Sequence, residues 1–258
     1  VRLGTGNRTE GNSEAIASFV KEETPVLVFK RHRAPKKDET TSVTVNGETK
    51  YVKVVNVWQG EDVLGKSYNQ SKIPWSDVRA DIKQVYIEQS FAQSPISTKN
   101  WFYGCTSLTD IYGLENLNTS RVESMESMFG NCSKLTELDL THFKTNKLTN
   151  MSQMFWGCES LKKLGFGYNW KTENVTDMSS LFSGCKSLKE LSFVYDFDTP
   201  NVENMANMFK DCEQLERINM SFGQEFNTAK VTNMQCMFEN CKLLKWIPTL
   251  SSTENVIG

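Results

Sequence analysis

Histidine is nearly missing from this sequence. His32 and His142 are the two it has, and neither has a Ser, Cys or Asp constellation beside it, so a nucleophile–base–carboxylate triad is not expected. A surplus of one charge is missing too. With 29 Lys and Arg against 31 Asp and Glu the net charge is −2, which gives no bulk attraction to nucleic acid. No apolar run approaches the roughly 20 residues of a bilayer span, so no transmembrane segment is expected in this chain. Position 1 is Val, with no charged-then-apolar leader behind it; this reads as a chain whose signal peptide has been removed or that begins internally. Prolines number six, and 38% hydrophobic with 23% charged residues excludes collagen and wholesale disorder. Phosphate-cradling loops are absent: Gly165-Phe-Gly167 falls in a predicted strand, and no Lys-Ser/Thr follows.

Cysteine, by contrast, is plentiful and periodic. Cys105, Cys132, Cys158, Cys185, Cys212 and Cys241 recur every 26 to 29 residues, and Cys236 alone falls outside the series. Other ladders keep step with them. Phe102, Phe129, Phe155, Phe182, Phe209 and Phe238 lie three residues before each cysteine, and Leu108, Leu135, Leu161, Leu188, Leu215 and Leu244 lie three after. Met125, Met151, Met178, Met205 and Met234 form another, led by Val122, Leu148, Val175, Val202 and Val231. Constant spacing of this size marks a solenoid of stacked units. The series Val122, Met125, Met128, Phe129, Cys132 advances by three and four, which predicts one face of a helix. Thr119, Thr145, Thr172, Thr199 and Thr228 then fall at its N-cap. Beyond each cysteine the pattern becomes Leu135-x-x-Leu138-x-Leu140, the alternation of a short strand. The predicted fold class is therefore α/β: a leucine-rich-repeat solenoid with one helix and one short parallel strand per repeat. All variation in repeat length falls in one loop, between the strand and Phe143, Trp170, Phe197 or Phe226.

Three divisions are expected: a flexible lead-in over 1–23, a β-rich N-terminal cap over 24–75, and the solenoid over 76–258. The lead-in carries a short predicted helix over Glu14–Lys21. In the cap, Pro25–Phe29 reads as a strand, and Val43–Val45, Asn46-Gly47 and Tyr51–Val57 read as a hairpin. The basic run from Lys30 to Lys37 lies between predicted strands, is followed by Asp38-Glu39, and reads as a solvated loop. Ile82-x-x-Val85-x-Ile87 is the first, atypical rung, and Thr253-x-x-Val256 restarts the repeat at the far end.

The ladder residues themselves read as core. The thiols behave as small hydrophobes. Adjacent rungs with parallel side chains, about 4.8 Å apart, sit slightly beyond disulfide reach. A straight ladder does not converge on a metal, and no cofactor is implied. All ten methionines lie within the repeats and fill the interior. Sequons such as Asn118-Thr-Ser120 recur with the repeat and read as its consensus. Binding should therefore use positions that the repeat leaves free. Those are the outward strand positions: Asp110, Glu137, Lys163, Glu190, Arg217 and Trp246 in one column, and Tyr112, Asp139 and Asn219, with Gly165 and Ser192, in the next. Aromatic and Arg side chains are the usual anchors of such a surface.

The motif M-x-x-M-F-x-x-C-x-x-L-x-x-L, repeated from Met125, together with Ile73-Pro-Trp75 and Ile82–Ile87, resembles the BspA-like leucine-rich repeat proteins of bacterial surfaces. The likeness covers roughly residues 73–250; residues 1–72 match only loosely, and no anchoring motif is present. It implies a secreted or surface-attached, non-enzymatic protein without catalytic residues, which binds protein or glycan on host or neighbouring cells. The alternative is a structural spacer of the envelope without a specific ligand.

Overall fold

A computed structural model describes residues 15–20, 25–31, 40–45, 48–53, 56–59, 73–91, 94–193, 197–221 and 225–256. Five strands precede the repeats: β1 (Ala15–Val20), β2 (Val26–Arg31), β3 (Thr40–Val45), β4 (Glu48–Lys53) and β5 (Asn56–Gln59). The expected helix at Glu14–Lys21 is thus a strand. Ala15–Val20 pairs antiparallel with β2 on one side and β5 on the other, and that pairing overrides local helix preference. A hairpin is present as β3–β4, with Val45 opposite Glu48, but its second strand ends at Lys53: Asn56 and Val57, expected to continue it, belong to β5 and pair with β1. The Asn46-Gly47 turn of the hairpin, and most of the basic run, lie outside the described residues. One sheet carries the order β5-β1-β2-β6-β7, where β6 is Gln84–Ile87 and β7 is Asp110–Tyr112. Of the strands before residue 60, β5, β1 and β2 thus continue the sheet of the first rungs, with β2 parallel to β6, while β3 and β4 form a sheet of their own.

The repeats form a β-solenoid, not a helix-and-strand one. Among the described residues there is no α-helix; two 3₁₀ turns, Arg79–Asp81 and Leu114–Asn116, lie outside the segments where helices were expected. Those segments run as consecutive tight turns. In one rung the N–H groups of Val122, Met128, Gly130, Cys132 and Leu135 donate to the carbonyls of Thr119, Met125, Ser127, Phe129 and Cys132, all at 3.0–3.1 Å. Between them the N–H groups of Met125, Ser127 and Phe129 cross to Asn150, Ser152 and Met154 of the next rung, at 2.9, 3.0 and 2.9 Å. An α-helix spends every interior N–H on its own i−4 carbonyl and has none left to join rungs. Left-handed residues enforce the difference: Ser127 (φ 54°) and Asn131 (φ 59°) here, repeated as Gln153 and Gly157, Ser180 and Gly184, Asn207 and Asp211. No α-helix accommodates such residues at every fourth position.

The inward face nonetheless matches expectation. Tandem turns also return side chains to one side every three residues, so Val122, Met125, Met128, Phe129 and Cys132 are all fully buried. The period is common to both structures, and this is why it misassigned the element. The phenyl groups stack along the axis: Phe129 on Phe155 (ring centroids 5.9 Å apart), Phe155 on Phe182 (5.5 Å), Phe182 on Phe209 (5.4 Å), Phe209 on Phe238 (5.4 Å). The threonines do not cap helices. They are buried, and each hydroxyl spans a gap between rungs. Thr145 Oγ1 donates to Lys171 O (2.8 Å) and accepts the Lys171 N–H (2.6 Å); Thr119 does the same with Lys144 (3.1 and 2.7 Å).

Opposite the turns lie the short strands β8 (Glu137–Leu140), β9 (Lys163–Phe166), β10 (Glu190–Ser192) and β11 (Arg217–Asn219). They pair in parallel, β8 with β9 and β10 with β11, with Leu138 against Leu164 and Leu191 against Ile218. Gly167 marks a close approach after β9: a Cβ there would stand 1.9 Å from Thr141 O. The N-terminal end is sealed by an aromatic cluster. Phe29 stacks on Trp101 (5.1 Å) and meets Trp75 edge-on (5.3 Å), while the Trp75 indole N–H donates to Trp101 O at 2.6 Å.

Candidate interaction face

The outward strand positions sit where the alternation places them, on the solvent side of β7 to β11, but they are largely paired with one another. Tyr112 is half-buried and stacks on Tyr86 of the preceding rung at 4.9 Å. Asp110 accepts from Gln84 Nε2 (3.4 Å) and Thr109 Oγ1 (2.7 Å). Lys163 Nζ meets Glu137 at 2.8 Å, and Arg217 Nε meets Glu190 at 3.4 Å. Asn219 Nδ2 donates to Ser192 Oγ at 3.2 Å. Asp139 accepts the Thr141 N–H at 2.9 Å, and its hydrogen bonds from Thr141 hold its carboxyl below the usual range. Trp246 stands apart: it is 69% exposed, bridged by backbone to Arg217 on the last full rung. The face is carried by three strand pairs, β6 with β7, β8 with β9 and β10 with β11, the last extended to Trp246 by its bridge to Arg217.

Sequence reasoning missed that the same pairing runs along other columns. Position one after the last four cysteines of the series carries Glu159, Lys186, Glu213 and Lys242, alternating in sign; Lys186 reaches Glu159 at 2.8 Å and Lys242 reaches Glu213 at 3.1 Å. Lys210–Glu239 (2.9 Å) and Lys245–Glu216 (3.5 Å) repeat the device. Read down the columns instead of along the chain, the alternation is visible in the sequence. A second missed feature lies two positions before the cysteines. There Tyr103 and Trp156 stack at 6.4 Å across Gly130, whose Cβ would meet Tyr103 at 2.9 Å, and the Arg79 guanidinium lies 5.6 Å from the Tyr103 ring centre.

The buried part of the cysteine column is hard to ionise; Cys241, half-buried at its end, differs, its thiol held below its ordinary value by the hydrogen bond with Cys212. Cys105, Cys132, Cys158, Cys185 and Cys212 are free and buried. Each thiol from Cys132 onward donates to the phenylalanine carbonyl one rung back, as in Cys132 to Phe102 O (3.1 Å) and Cys185 to Phe155 O (3.2 Å). Burial pushes Cys105 and Cys158 up to about 12. A thiolate is the nucleophile and the metal ligand, and a thiol this hard to ionise is neither. Among the described residues no three His, Cys, Asp or Glu side chains are grouped to hold a metal ion, and no helix is long and apolar enough to cross a membrane.

The sequence profile of DUF285, described as a Mycoplasma protein of unknown function, matches residues 79–168 and again residues 165–256. The chain belongs to this family. Its two DUF285 matches together span the rungs from the Arg79 turn to Val256, which makes the solenoid the family's own part of the chain. No curated protein matches. A crystal structure of a leucine-rich repeat protein from Eubacterium ventriosum aligns at 12% identity with a TM-score of 0.25, covering 90% of this chain and 77% of that one. The fold of the DUF285 rungs rests on their own hydrogen bonds, given above.

Proposed function

We propose that this chain is a non-enzymatic binding module, displayed outside a bacterial cell, whose outward strand face engages protein or glycan on a host or neighbouring cell. One observation carries the reading. Inward columns keep one residue type from rung to rung, while the outward column changes at nearly every step, from Asp110 through Glu137, Lys163, Glu190 and Arg217 to Trp246. A stack that holds its interior constant and varies its surface is built to present that surface. The anchor of the face is its C-terminal part, where Arg217 is half-exposed in its ion pair and Trp246 offers a largely bare indole.

A spacer role is favoured by a different observation: Glu137–Lys163 and Glu190–Arg217 neutralise the column internally and leave few charges for a partner. One experiment separates the two. Wild-type chain is compared with an Arg217→Ala/Trp246→Ala variant for retention on host cells and on extracellular matrix. Binding module predicts retention by the wild type and at least a tenfold loss in the variant. Equal retention in both, with the five buried thiols still protected, removes this face from the function; no retention by the wild type leaves the spacer.

A further inference from the structure

Several columns of the stack answer a cation with a glutamate one rung away, as Lys163 with Glu137 and Lys186 with Glu159, both at 2.8 Å. One strip, where the variable-length loop meets the turns in the middle of the stack, does the reverse. Lys144 and Lys171 hold the same place on neighbouring rungs, and Arg121 and Lys147 do so in the column three places along. Buried threonines set the register. Thr119 Oγ1 bonds both backbone groups of Lys144 (3.1 and 2.7 Å), Thr145 Oγ1 those of Lys171 (2.8 and 2.6 Å), and the Thr149 N–H donates to Glu123 O at 2.9 Å. Arg121, Lys144 and Lys147 are exposed, and Lys171 is half-buried. The acidic residues around them are Glu123, Glu173 and Asp198, the last one rung past Lys171. Among the described residues no ion pair joins any of these to the four cations.

Stacked rungs lie about 4.8 Å apart, so four cations spread over three rungs fall within about one Debye length and repel one another. Like charges set side by side across rungs destabilise the fold unless an anion lies between them. The strip runs on to an aromatic side chain. Leu140 is paired in register with Phe166, so His142 and Tyr168, each two residues on, hold matching places on the same two rungs. Tyr168 is 87% exposed and offers an apolar ring face beside a hydroxyl. The exposed amides of Asn146 and Asn169 lie among the lysines. Phe143, Leu148 and Trp170 are buried, which leaves a bilayer no apolar side chain to take up besides Tyr168. The net charge of −2 gives a long nucleic acid no attraction beyond the strip itself.

We propose that this strip binds a sulfated polysaccharide, its sulfate groups meeting Arg121, Lys144, Lys147 and Lys171 while a sugar ring lies on Tyr168. Four cations this close call for several anions over the same short length, more than a polymer with one carboxylate on every second sugar supplies. The anionic chain turns their mutual repulsion into attraction, and the amides of Asn146 and Asn169 meet its hydroxyls. The surface is distinct from the outward strand face, so either assignment can fail without the other.

The probe is a heparin-derived octasaccharide titrated calorimetrically into the full chain. A hyaluronan octasaccharide, an oligothymidylate and phosphatidylserine vesicles are run beside it. The wild type should bind the sulfated probe at least tenfold more tightly than hyaluronan, and more weakly as salt rises. Lys144→Ala/Lys147→Ala should lose at least tenfold, and Tyr168→Ala about threefold. Lys162→Ala/Lys189→Ala removes the same charge from two exposed neighbours in a column that continues to Glu216, and should bind as the wild type does. So should Arg217→Ala/Trp246→Ala. No binding by the wild type overturns the proposal. Equal losses in the two lysine variants overturn it in favour of bulk charge, and a loss in Arg217→Ala/Trp246→Ala alone moves the polysaccharide to the strand face. Tighter binding of the oligothymidylate or the vesicles gives the strip to nucleic acid or membrane instead.

Discussion

Each rung has two sides that obey different rules. The turn side, Thr119 to Leu135 in one rung, repeats nearly unchanged, buries every inward side chain and sends alternate N–H groups across to its neighbour. The strand side is three or four residues long, changes composition outward at nearly every step, and from β8 onward is joined mainly in the pairs β8–β9 and β10–β11. The difference teaches where the fold is held. Stability resides in the turn side and its stacked phenyl, thiol and hydroxyl columns, and the strand side is left free to vary. The sharpest way to break that comparison is at the centre of the phenyl stack. Phe155→Ala removes a fully buried ring that contacts rings on both neighbours, and should cost about 3–5 kcal/mol in a urea titration. A cost under 1 kcal/mol would mean that the turn side is not the holding element.

Thr145→Val tests the next term. Valine keeps the shape and loses the hydroxyl, removing the donor to Lys171 O and leaving the Lys171 N–H only its longer bond to Asn169 O (3.1 Å), in a site where Thr145 is buried. An unmade buried hydrogen bond costs about 1–3 kcal/mol, so a loss of about 2 kcal/mol is expected by the same titration. An unchanged midpoint would mean that the hydroxyl bonds between rungs contribute nothing to stability.

How far the sequence carried follows the same division. The ladders named every core column correctly, because burial depends on which side a residue faces, and a three-residue period settles that for turns and helices alike. The element itself was not legible there. Ser127, Gln153, Ser180 and Asn207 adopt left-handed φ angles that nothing in a side-chain period records, and glycine, the usual signal, stands only in the other left-handed column, at Gly157 and Gly184 beside Asn131 and Asp211. Threonine before an apolar residue was read as a helix cap since capping is local, whereas its real partners, such as Lys171 for Thr145, lie a full repeat away. On the outward face the pairings were missed for the same reason: Glu137 with Lys163, and Glu190 with Arg217, are neighbours only once the rungs are stacked.

The buried thiols give the turn side a dependence on pH. Burial raises Cys158 from its ordinary value near 9 to about 12, so the unfolded chain loses that proton first as pH rises. The stabilisation is complete below about pH 9 and is lost between 9 and 12, at about 1.4 kcal/mol per pH unit for each such thiol. Urea midpoints measured from pH 7.5 to 10.5 should therefore fall steeply in the wild type, and less steeply in Cys158→Ala by one thiol's share. Parallel profiles would show that the thiol ionises without unfolding.

The smallest effect belongs to the strand side. Glu190→Ala breaks an ion pair with Arg217 in which both side chains are about half exposed, 58% and 49%. An exposed pair gains little over water and is screened by salt, so the change in stability should stay within about 1 kcal/mol and shrink further at high ionic strength. The same substitution frees the Arg217 guanidinium beside Trp246. If the face binds an acidic or hydroxyl-rich partner, retention on cells should rise or hold while stability barely moves, separating what the strand side contributes to binding from what the turn side contributes to the fold. A loss of stability as large as that of Phe155→Ala would erase the distinction between the two sides.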